Sequence, residues 1–203
     1  FYASIYNGQP FKDLIQGQHN PRAFPVPYSN LRAKQTYTDL VPGDSFTVGK
    51  AAISCIQLNH PGTTLGYRIA ADGRVLVIVT DTAPIENNPL GEGMKAKAEK
   101  DAKAFETAYT EGLLAFMNNA DLAIYDTHFS DELLASRRHW GHSSPALAID
   151  ICKKAHVKRL VLHHHSPEET DDMVDEKAQK AWALVKDDEL QVEPGTEGMK
   201  IWL

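Results

Sequence analysis

The sequence predicts an α/β domain in which a sheet is covered by helices. Three observations lead there. Short runs rich in β-branched residues, split by turn residues, fill 47–80. After residue 95 helical and strand patterns alternate. No repeat, low-complexity tract or linker divides the 203 residues, so positions 1–203 read as one domain.

Each element follows from local chemistry. Residues 1–6 read as a strand and 9–18 as a short helix. The opening Phe1-Tyr2-Ala3-Ser4 has no Met and no polar lead-in, so the chain is expected to begin inside a fold. Pro21, Pro25, Pro27 and Pro42 break any long element in 19–45. Runs at 47–48, 52–58, 65–70 and 74–80 are separated by Gly49-Lys50, Pro61-Gly62 and Asp72-Gly73, the last a strong hairpin signal. They predict an antiparallel meander, with the wholly apolar 75–79 a central strand buried on both faces. Positions 84–94 read as loop and 95–118 as one helix, with Phe105, Ala108, Leu113 and Phe116 as its apolar stripe. Then follow a strand at 122–125, a loop at 127–141, and a helix opened by Ser144-Pro145. A strand at 159–162, a helix at 171–186 and a final strand at 199–203 complete the chain.

Composition narrows the function classes. Charged residues at 24% and hydrophobic ones at 42% exclude a disordered tail, a collagen-like chain and a disulfide-rich miniprotein. No apolar run approaches the ~20 residues that span a bilayer, and the first 30 residues hold no signal-peptide core. Cys55 and Cys152 sit in apolar stretches and read as buried thiols, so a cytoplasmic location away from membranes is expected. With 21 Lys+Arg against 27 Asp+Glu the net charge is −6, which disfavours a large nucleic acid as partner. The histidines stand out: seven of the nine fall between His128 and His165.

Polar residues recur where apolar runs end: Asn59-His60, Thr80-Asp81, Tyr125-Asp126 and His163-His164-His165. His142 precedes a helix start. Strand ends gathered on one rim are where α/β enzymes place their sites. Imidazoles and carboxylates there make a nitrogen/oxygen ligand set that suits Zn, Mn or Fe. Taken singly, His60 is more often a satisfied hydrogen-bond partner, and Asp81 and Asp126 more often turn formers. Adjacent strand residues face opposite ways, so His163, His164 and His165 cannot all aim at one ion. His19, His128, His139 and His156 read as surface or packing histidines, and Trp140 as a core or lid aromatic.

Four segments in order resemble the metallo-β-lactamase superfamily, in its ribonuclease Z-like, phosphodiesterase-like branch. They are Leu58-Asn59-His60-Pro61-Gly62 before Gly66-Tyr67-Arg68, Val77-Ile78-Val79-Thr80-Asp81-Thr82, Gly141-His142-Ser143-Ser144, and Leu162-His163-His164-His165-Ser166-Pro167. The resemblance implies an αββα sandwich whose N-terminal part, with the signature HxHxDH, is missing from this chain. It implies a metal-dependent hydrolase that cleaves a phosphodiester through a metal-bound hydroxide at a dinuclear site. His60, Asp81 and His164 would be metal ligands, with Asp81 shared. Asp81 and His142 would be catalytic, His142 as general acid or charge stabiliser. Asp126 and His165 would lie in support behind them, and His163 would point away. The cofactor expected is two divalent metal ions, zinc first, with Mn or Fe accepting the same donors. They would be depleted here, because the HxHxDH ligands are absent. The expected substrate is a small-molecule or nucleotide phosphodiester. A tRNA is disfavoured for want of a Lys/Arg-rich arm. The alternative is a non-catalytic fragment or interaction module, with a homodimer closing the exposed sheet face.

Overall fold

The computed structural model describes residues 1–203 except Tyr6, Asn7, Ala23, Asn87 and Asp187. The chain opens with strand β1 (Tyr2–Ser4), helix α1 (Phe11–Gln18) and strand β2 (Thr38–Leu40). β1 and β2 pair in parallel as a small separate sheet. The sixth position of the expected first strand lies outside the described residues.

The main sheet has seven strands in chain order: β3 (Ser45–Val48), β4 (Ala51–Gln57), β5 (Leu65–Ala71), β6 (Arg74–Val79), β7 (Leu122–Asp126), β8 (Arg159–His163) and β9 (Gln191–Pro194). β3 to β6 form the expected antiparallel meander. Asp72 and Gly73 both take positive φ at the β5–β6 turn, the backbone a two-residue hairpin needs. From β6 onward the pairing is parallel. Those connections are helical: α2 (Met94–Ala98) and α3 (Ala102–Met117), then α4 (Asp131–Arg137) and α5 (Pro145–Lys154), then α6 (Asp171–Leu184).

Each parallel step moves one place in the same direction. Right-handed crossovers taken in one direction put all their helices on one face. The core accordingly lies between that face and α3, α5 and α6, where Val77, Ala123, Leu160 and Val192 stand in register against Leu113, Met117, Ile149, Cys152 and Ala181. Each large apolar side chain buried there contributes ~1.5–3 kcal/mol. On the opposite face Leu40, Cys55 and Leu65 make a smaller cluster with Phe46 and Tyr67. Both cysteines are free and buried, as their apolar settings predict.

Several elements differ from the sequence reading. β6 is central, but only Val77 and Val79 are fully buried, while Leu76 and Ile78 on the other face are half-buried. The helix expected at 95–118 is two helices, because the Asp101 side chain accepts from Ala104 N and caps a new start. The loop expected at 127–141 contains α4, capped by Ser130 on Leu133 N, and a 3₁₀ turn at Arg138–Trp140. The last strand is β9, not 199–203. One side of β8 is filled by Gln191–Pro194, and the later apolar residues run on unpaired, with Trp202 88% exposed. No helix among the described residues is long and apolar enough to cross a membrane.

β4 runs parallel to β6, because two antiparallel steps separate them. The C-terminal ends of β4, β6, β7 and β8 therefore share one rim. At the other rim Asp121 locks the start of β7. Its carboxylate accepts from Lys158 Nζ (2.8 Å), Val75 N (2.8 Å) and Arg74 Nη1 (3.3 Å). The hydrogen bond from Lys158, then that from Val75, lowers the Asp121 pKa from 3.8 to about 2. A lowered carboxyl pKa contributes stability that is present above the unfolded pKa and lost as pH falls through the folded one. Urea unfolding should show Asp121→Asn less stable than the parent at pH 6, with the gap closing between pH ~4 and ~2. A gap that stays constant with pH would exclude this role.

Candidate metal centre

The rim after β4 is shaped by Asn59, which is fully buried. Its Nδ2 donates to the carbonyls of Pro84 (3.0 Å) and Asn88 (2.9 Å), and its Oδ1 accepts from Leu90 N (2.7 Å). These bonds tie the segment after β6 to the β4–β5 turn and leave His60 facing the rim. His60 Nδ1 lies 3.0 Å from Pro61 O, a partner that can only accept. Thr64 Oγ1 lies 3.2 Å from the same nitrogen; the tautomer that donates from Nδ1 to Pro61 O leaves the Nε2 lone pair free. Nε2 stands 3.8 Å from Asp81 Oδ2.

Asp81 follows β6. Its other oxygen, Oδ1, lies 3.4 Å from His164 Nδ1 beyond the end of β8. One carboxylate thus stands between two imidazoles, an oxygen toward each. His164 takes φ +63, a left-handed backbone uncommon for any residue but glycine. Its buried Nδ1 has no hydrogen-bond partner, though it faces Asp81 and, at 3.7 Å, Asp126 Oδ1.

Asp126 ends β7 and its side chain is fully buried. It survives there because donors converge on it: Thr82 N (2.9 Å) and His142 Nδ1 (3.0 Å) on Oδ2, His128 N (2.9 Å) on Oδ1. Hydrogen bonds to a charged group are worth roughly 1.5–3 kcal/mol each. Burial is the largest single influence and pushes the Asp126 pKa up, but the bond from His142, the adjacent His164 imidazole and the bond from Thr82 outweigh it and hold it low. The same carboxylate, followed by the Asp81 charge, raises the pKa of His164. With Nδ1 committed to Asp126, His142 presents Nε2 to the site.

His128 belongs to this cluster, contrary to its reading as a packing residue. Its ring lies 4.5 Å from that of His142 and 4.8 Å from that of His164, and Nδ1 is 3.2 Å from His164 O. Burial, then the charges of His142 and His164, lowers its pKa. His128 lies beyond the end of β7, where its amide donates to Asp126 Oδ1, so strand spacing gave no signal for it. His165 turns elsewhere, with Nε2 3.2 Å from Gly195 O beyond β9, and burial lowers its pKa. The His163 side chain is exposed, and its carbonyl accepts from Thr127 N. Trp140 is half-exposed and stacks on Arg137.

The donors of His60, Asp81 and His142 lie within 4.8 Å of one another, as do those of Asp126, His142 and His164. His142 thus reaches both groups. The set is nitrogen and oxygen only, and the unpartnered His164 Nδ1 is an atom that a cation would satisfy. These residues fit a divalent metal ion that accepts nitrogen and oxygen donors.

Close approach at the site depends on Gly141. It takes φ +97, and a Cβ there would fall 2.5 Å from His60 Cδ2 and 3.1 Å from Pro61 Cδ. Gly141→Ala should destabilise the fold by ~1–3 kcal/mol in chemical denaturation and displace His60. A variant with parental stability would refute the need for a bare backbone at this point.

No family model matches the chain. It is 26% identical to ribonuclease BN of Proteus mirabilis over 61% of this chain and 50% of that protein. It is 25% identical to ribonuclease Z of Crocosphaera subtropica over 80% of this chain and 59% of that protein. The chain thus spans little more than half the length of these relatives. Among solved structures, the metallo-β-lactamase fold protein YhfI from Bacillus subtilis superposes with a TM-score of 0.57 at 20% identity, over 82% of this chain and 57% of that one. The chain therefore carries the metallo-β-lactamase fold and is similar in sequence to the ribonuclease Z branch of that superfamily.

Proposed function

We propose that residues 1–203 form one domain of a cytoplasmic hydrolase that cleaves a phosphodiester at a dinuclear metal site. The observation that carries this reading is Asp81 set between His60 and His164, with Oδ2 3.8 Å from one imidazole and Oδ1 3.4 Å from the other. A carboxylate with an oxygen toward each of two histidines would suit a dinuclear site. His60, Asp81 and His164 are then the ligands this chain contributes, to zinc first or to Mn or Fe. When bound, such ions supply positive charge against the negative charge that builds on the phosphoryl oxygens.

The remaining roles rest on the chain's own groups. His142 is held by Asp126, so its Nε2 can carry a proton toward the leaving oxygen and the carboxylate stabilises the imidazolium. Asp126 acts as the positioning residue for His142 and His128. His165 supports the β8 end through Gly195. Nucleotide or other small phosphodiesters are the substrates proposed first. The ribonuclease names of the relatives add RNA to that class.

Zn²⁺ and Mn²⁺ titrations of the intact protein, with hydrolysis of bis-p-nitrophenyl phosphate, provide the test. His60→Ala and Asp81→Ala should each weaken metal binding and activity by ~10-fold or more. His142→Ala should lower turnover while metal binding holds better than in Asp81→Ala. Full metal binding and activity in Asp81→Ala would remove the assignment. An intact protein without metal or activity would leave a non-catalytic module, for which a homodimer is the first state to measure.

A further inference from the structure

Lys177 lies in α6, and its side chain is only 4% exposed. Lysine is almost never buried unless paired. Here three protons of the ammonium meet three oxygens: Thr127 O (2.9 Å), Glu169 Oε1 (2.9 Å) and Glu169 Oε2 (2.6 Å). Glu169 Oε2 also accepts from Ser166 N (3.0 Å). Thr127 stands between Asp126 and His128, and Ser166 lies two residues beyond His164. One cation therefore ties the segment leaving β7 to the segment leaving β8. Both segments are already in contact, since Thr127 N donates to His163 O (2.9 Å).

A buried ion pair is weak evidence for stability. Desolvation of two buried charges offsets their attraction, and an apolar pair of similar volume often folds as well or better. What an apolar pair lacks is direction. It cannot hold the Thr127 carbonyl on an ammonium and the Ser166 amide on the carboxylate paired with it. Lys180, also in α6, behaves differently: it pairs with Glu132 and Glu176 at an exposed surface.

We propose that Lys177 is a positioning residue of the metal centre, acting through Glu169 and Thr127 to hold the ends of β7 and β8 so that Asp126, His128 and His164 meet. The inference rests on the reading of that cluster as a metal site and extends it to α6. Without the clamp, the left-handed backbone at His164 is held by fewer contacts, chiefly the His128 ring on its carbonyl.

The test compares the parent, Lys177→Arg, Lys177→Gln and the double variant Lys177→Met/Glu169→Leu. Urea unfolding, amide hydrogen exchange and Zn²⁺ titration are read on each. The double variant should unfold at the parental urea concentration or above. Its amides at 126–130 and 163–167 should exchange ~10-fold faster or more, with α3 unchanged. Zn²⁺ affinity should fall ~10- to 100-fold. Lys177→Arg, which keeps the charge and the donors, should recover most of both losses. Unchanged exchange in the two segments of the double variant overturns the proposal. If the double variant does not fold, Lys177→Gln decides by the same comparison, and parental protection there overturns it equally. A parent that takes up no Zn²⁺ defeats the metal reading alone, because the exchange measurement still decides the clamp.

Discussion

A carboxylate with no access to water must be surrounded by donors, and Asp126 sets that condition for the whole rim. An unpaired buried charge costs several kcal/mol, more than a marginally stable domain can absorb locally. Three donors must therefore arrive from three places: the backbone after β6, the backbone after β7 and the imidazole of His142 before α5. Meeting this demand fixes how β6 ends, how the chain leaves β7 and where α5 begins. The histidine cluster follows from the same bonds. His142 is anchored by its Nδ1, His128 follows its own amide, and His164 packs against both rings.

The fold brings these ends together for a simple reason. The sheet advances one strand at a time, so the C-terminal ends of β6, β7 and β8 lie side by side. The meander returns β4 to the same direction, which adds His60. Helices confined to one face bury the core beneath, and the loops at the rim stay free to carry chemistry. Buried polar side chains then organise those loops. Asn59 does so for the segment after β6, and Lys177 with Glu169 for the segments after β7 and β8. Each is fully satisfied, which is what allows a polar group to stand in an interior at all.

How far the sequence could be read varied with the range of the interaction. The meander was legible because Asp72-Gly73 and the β-branched runs act locally. The start of α5 was legible from Ser144-Pro145. The break at Asp101 shows only in its cap, because the Lys, Ala and Glu of 95–100 suit a helix as well as the residues after it do. The final strand lies at Gln191–Pro194 instead of 199–203. Val192 is the one buried residue of β9, a weak local pattern, whereas the more apolar 199–203 has no strand partner. The order of His60, Asp81, His142 and His164 could be proposed from four short segments, and Asp126 from the polar end of an apolar run. His128 and Lys177 could not, because a histidine beside a turn and a lysine in a helix are ordinary until their neighbours are known.

By itself, the sequence determined the class of fold, the strands that end in polar residues and the nitrogen and oxygen character of the donors. Those properties depend on residue type and on spacing along the chain, and both are fully present in one dimension. Tertiary structure alone decided which donors meet. It set Asp81 between His60 and His164, turned His165 toward Gly195 instead, admitted His128 to the cluster and buried Lys177 beneath the ends of two strands. Those outcomes depend on contacts between residues tens of positions apart. They are settled by the direction of each crossover and by the need to satisfy every buried charge, neither of which any single segment contains.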